Sequence, residues 1–65
     1  MLDQRLARVT ALAQELWGND VDARAFMTTP HPMLHDKPPA ERAVTELGAR
    51  EVEQILHALA FGLPV

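Results

Sequence analysis

The residues best able to do chemistry lie in the stretch TTPHPMLHDKPP, residues 28–39, which brings His31, His35 and Asp36 close together in the chain. Imidazole and carboxylate are donors that zinc and related ions take, and the same groups serve as general acids and bases. Two histidines four apart share a face on a helix. Pro32 stands between these two, however, and proline denies helical geometry to the residue before it. The sequence holds no HExxH pattern and no second ligand pair, and His57 lies far along the chain. The simpler reading is a stiff corner with its histidines toward solvent, so no metal and no cofactor is expected.

Other catalytic groups are as sparse. The chain has no cysteine and no serine, leaving Thr10, Thr28, Thr29 and Thr45 as its hydroxyl groups. Glu46, Glu51 and Glu53 could form acid–base pairs, but beside Arg50 they read as the solvated face of a helix. A 65-residue chain hides only about 60% of its unfolded surface and has little room for an enclosed pocket. No enzymatic activity and no catalytic residue is expected. A net charge of −3 gives no basic stripe beside Trp17 and Phe26, which argues against nucleic acid as a partner and for core aromatics. Charges at Asp3, Arg5, Arg8 and Glu15 interrupt any apolar run that a signal peptide or membrane span would need. A cytoplasmic protein without membrane contact is expected.

The elements that carry these residues read as helices. Leu2, Leu6, Val9, Leu12 or Ala13, Leu16 and Trp17 recur at spacings of three and four, the period of one amphipathic helix over residues 2–17. Gly18 ends it, and Asn19 or Asp20 caps a second helix from Asp20 to Met27, with Asp22 placed as in a capping box. Pro30 and Pro32 stop that helix, and Leu34 anchors the extended corner that follows. Pro39 suits the first position of a third helix that Ala40 to Val44 would continue. Thr45 caps the last helix, whose stripe is Val52, Ile55, Leu56 and Leu59, and Gly62 closes it. The expectation is an all-α fold, a small bundle of about four helices with a proline-rich corner.

In that frame the run FMTTPHPMLHDKPPAERAVTELGAREVEQIL resembles the toxin-binding domain of the Xre/MbcA/ParS-type antitoxins. Phe26 and Met27 stand at the family's aromatic–Leu pair, Pro30 and Leu34 at its corner, and Pro39 at its helix start. Thr45 and Gly48 form its Thr-x-x-Gly, Val52 and Leu56 lie on its final helix, and Gly62 ends that helix. LWGND resembles the turn before the second helix. The likeness covers roughly residues 9–65. Departures are His35 and Asp36 at positions usually held by glycine, Phe26 for the usual Trp, and the additional Pro38.

The resemblance implies one antitoxin-type domain over residues 1–65, without the separate N-terminal helix-turn-helix domain of many members. It implies an antitoxin that binds and inhibits a RES-domain toxin, a family that consumes NAD, through its last helix and tail. The residues carried over are Phe61, Gly62, Leu63, Pro64 and Val65. An apolar tail with one proline and a terminal carboxylate also suits a plug on physical grounds, because proline lowers the cost of ordering it. The exposed faces around Arg42, Glu46 and Arg50 are the second candidate surface. The competing expectation is a stand-alone helical interaction module, a homodimer, which exposed apolar area on the first helix would support.

Overall fold

The computed structural model describes residues 4–62. Its order is α1 (Gln4–Trp17), α2 (Asp20–Thr28), a 3-10 turn (Pro32–Leu34), α3 (Pro39–Arg42) and α4 (Glu46–Ala60), with no β-strand among the described residues. This is the all-α bundle that the apolar periods call for. α1 packs against α2 and α4, and the short α3 touches both α2 and α4.

Local chemistry sets most boundaries. The Gly18 N–H donates to the Gln14 carbonyl at 2.8 Å, with φ of 74° at Gly18, a left-handed angle open to glycine. The cap of α2 is Asn19, whose side-chain oxygen accepts the Asp22 N–H at 2.8 Å. The Asp22 carboxylate in turn accepts from the Asn19 side-chain amide at 2.9 Å, where a capping box would use the cap's backbone N–H. Helix α3 stops at Arg42, two residues short of the expected Val44. Its last carbonyl is turned against the start of α4, as described below.

The core joins Val9 and Ala13 of α1, Ala23 and Met27 of α2, Leu34 of the corner, Ala43, and Ala49, Val52, Ile55 and Leu56 of α4. Four of these ten are alanines, so the helices meet at short range around few large side chains. Trp17 and Phe26 are half-buried at the edge of this cluster, with ring centroids 5.1 Å apart, and do not fill its centre.

Candidate functional site

The candidate partner residues that the structure describes lie on the last helix or beside its ends: Glu46 and Arg50 on α4, Arg42 at the end of α3, and Phe61 and Gly62 just past α4. At its start Thr45 accepts the Gly48 N–H on its hydroxyl at 3.0 Å, the cap expected from the sequence. Gly48 is buried, and a Cβ there would stand 2.7 Å from the Arg42 carbonyl carbon and closer still to its oxygen. Only glycine lets α3 end so close to α4.

Around this joint the charges are bound to one another. Arg42 donates to Glu51 at 2.7 Å, with both side chains partly covered. Glu46 pairs with Arg5 at 3.2 Å, with Arg8 at 3.6 Å and with Arg50 at 3.1 Å, and Arg8 also reaches Glu53 at 2.8 Å. Hydrogen bonding from Arg50 is the largest cause that holds the Glu46 carboxyl below its ordinary range; the charge of Arg8 and a bond from Arg5 act in the same direction. Arg42, Glu46 and Arg50 are thus gathered at one end of α4, and each is engaged within the chain.

The other end is built differently. The Phe61 N–H donates to the His57 carbonyl at 3.0 Å, Gly62 takes φ of 71°, and the chain leaves the helix there. Phe61 is 76% exposed and Leu59 42%. Beside them Leu12, Leu16, Leu56 and Ala60, with Glu15 and His57 among them, line an open cleft of about 330 Å³ between α1 and α4. At 1.5 Å per residue, Glu46 and Phe61 stand about 22 Å apart along the helix. The two candidate surfaces thus lie at opposite ends of α4. Leu63, Pro64 and Val65 lie outside the described residues.

The histidine corner folds on itself. His31 Nδ1 accepts the Met33 N–H at 3.1 Å, its carbonyl accepts from Leu34 at 2.9 Å and Asp36 at 3.1 Å, and its N–H donates to the Lys37 carbonyl at 3.2 Å. The ring edge rests on Phe26, centroids 6.3 Å apart. His35 and Asp36 both adopt left-handed angles, φ 58° and 60°, at the two positions that the resemblance gives to glycine. Leu34 is fully buried and pins this corner to the core. Among the described residues, no group of three or more His, Asp or Glu is placed to hold a metal ion.

This order of turn, cap, corner and buried glycine has a counterpart among known proteins. The family model of the antitoxin Xre/MbcA/ParS C-terminal toxin-binding domain matches residues 12–62. The chain belongs to this antitoxin family. Neither the curated proteins nor the solved structures yield a match. The role of this antitoxin domain is to bind a toxin, and its partner is a toxin. The matched stretch takes in the corner, the Thr45–Gly48 joint and both ends of α4, while Arg5 and Arg8, which hold Glu46, precede it. Sequence reasoning missed those two partners, because nothing local links residues 41 and 45 positions apart, as Arg5 and Glu46 or Arg8 and Glu53 are. No helix among the described residues is long and apolar enough to cross a membrane.

Proposed function

We propose that the chain inhibits a RES-domain, NAD-consuming toxin, with the C-terminal end of α4 and the residues after it as the inhibitory element. The observation that carries this reading is the exposure of Phe61 at the point where Gly62 turns the chain off the helix. An exposed aromatic next to an apolar cleft is a common anchor for a partner, since burying it on binding supplies much of the affinity. Leu63, Pro64 and Val65 continue the apolar character of Phe61 and would enter the toxin. Arg42, Glu46 and Arg50 form a secondary contact, in which Arg50 is the most exposed of the three.

The homodimer reading has less behind it. Among the described residues of α1 no large hydrophobic side chain is exposed; those that are, such as Val21, Val44 and Leu47, lie elsewhere.

The test is co-expression of the neighbouring RES-type toxin with the full chain, with a chain lacking residues 63–65, and with Phe61→Ser. Growth rescue by the full chain together with loss of rescue by both folded variants is the expected result. Unchanged rescue by both variants moves the inhibitory element to the Arg42, Glu46 and Arg50 surface.

A further inference from the structure

The cleft between α1 and α4 opens beside the point where the chain leaves α4. The two helices run side by side in one direction, since Arg5 pairs with Glu46 near their starts and Leu16 and Ala60 line the cleft near their ends. Of the leucines that line it, Leu56 is buried, whereas Leu12 and Leu16 are only half-buried. Glu15 and His57, the polar lining residues, are exposed, so their polar ends can stay in water while apolar groups fill the space between the helices.

The end of α4 has the geometry that turns a chain back on its helix. Gly62 takes φ of 71°, and its N–H donates to the Leu59 carbonyl at 3.3 Å. A left-handed residue making that bond belongs to the helix ending in which the next residue folds back and packs an apolar side chain on the last turn. Here the next residue is Leu63. The last turn carries His57 and Ala60, both of which line the cleft. Three residues of extended chain span about 10 Å, as much as the distance between the axes of two packed helices, so residues 63–65 are long enough to cross from α4 to α1. Their chemistry suits the cleft too. No side chain among Leu63, Pro64 and Val65 carries a charge, and Pro64 brings no N–H that burial would strip of water and costs less to order than another residue.

We propose that in the chain free of toxin the α1–α4 cleft holds Leu63, Pro64 and Val65, which cover Leu12 and Leu16, and that the toxin draws them out. The docking needs no toxin, whereas the release rests on the inhibitory role given to these residues above. A docked tail keeps its apolar side chains out of water, and it lowers the apparent affinity for the toxin by the fraction of chains left open.

Nuclear magnetic resonance of the full chain alone tests the docking. Cross-peaks from the methyl groups of Leu63 or Val65 to those of Leu12 or Leu16 are expected, and their absence would overturn the proposal while leaving the toxin reading standing. In a sample that mixes labelled and unlabelled chains, cross-peaks between differently labelled chains would put a second copy's tail in the cleft and also overturn it. Addition of the purified toxin encoded beside this chain should remove the cross-peaks. If they persist in the complex, the tail is not drawn out, and the release and the plug reading fall together. A toxin that does not bind overturns the toxin reading and the release with it, and the docking stays decided by the first measurement.

Discussion

The two ends of α4 solve opposite problems. At the first, a threonine cap, a glycine against the Arg42 carbonyl and the ion pairs of Glu46 hold the helix to α1 and α3. At the second, the helix runs out past Leu59 to an exposed Phe61. A domain with so small a core gains from concentrating its constraints at one end, because the other end can then expose apolar surface to a partner without loosening the fold. Stability and binding should therefore respond to different residues of one helix.

The largest effect is expected at the anchored end. Gly48→Ala drives a Cβ into the Arg42 carbonyl and should cost about 3 kcal/mol, since backbone and not a flexible side chain must move. Chemical denaturation measures it, and a loss under about 1 kcal/mol would mean that α3 and α4 can separate freely. By contrast, His35→Gly should stabilise by about 0.5–1 kcal/mol: relief of the left-handed angle outweighs the extra freedom of glycine in the unfolded chain. A melting temperature that falls instead would show that the His35 side chain supports the corner.

A smaller effect separates the ends by pH. Because the Glu46 carboxyl is held below its ordinary range in the folded protein, its contribution is present above the unfolded value and is lost as pH falls through the lowered one. The wild type should melt slightly above Glu46→Gln near about pH 7, and the gap should narrow as pH falls below the ordinary carboxylate range or as salt is raised. A constant gap across that range would assign the difference to packing. Smallest of all is the effect of Phe61→Ser on stability. Its melting temperature should match the wild type, because the side chain is exposed already, and any marked drop would place Phe61 in the fold and blur the contrast between the ends.

What could be read in advance were the features written in neighbouring residues. The stop at Gly18, the cap Thr45 and the start at Pro39 each depend on a hydrogen bond or a backbone angle spanning a few positions, so residue type and spacing determine them, while for the cap of α2 they left Asn19 and Asp20 as alternatives and the structure chose Asn19. The toxin-binding family was legible through the resemblance of the run from Phe26 to Leu56 to that family's pattern, and the family model matches residues 12–62. Tertiary structure decided the rest. The closeness that requires Gly48, the early end of α3 and the peripheral place of Trp17 and Phe26 follow from how near the helices come, which alanines at the contacts allow. The binding of Glu46 by Arg5 and Arg8, and the bond from Gln14 to Asp20, were equally hidden. A charge on a helix surface has several partners within reach along the chain, and only the packing of a second helix beside it selects among them.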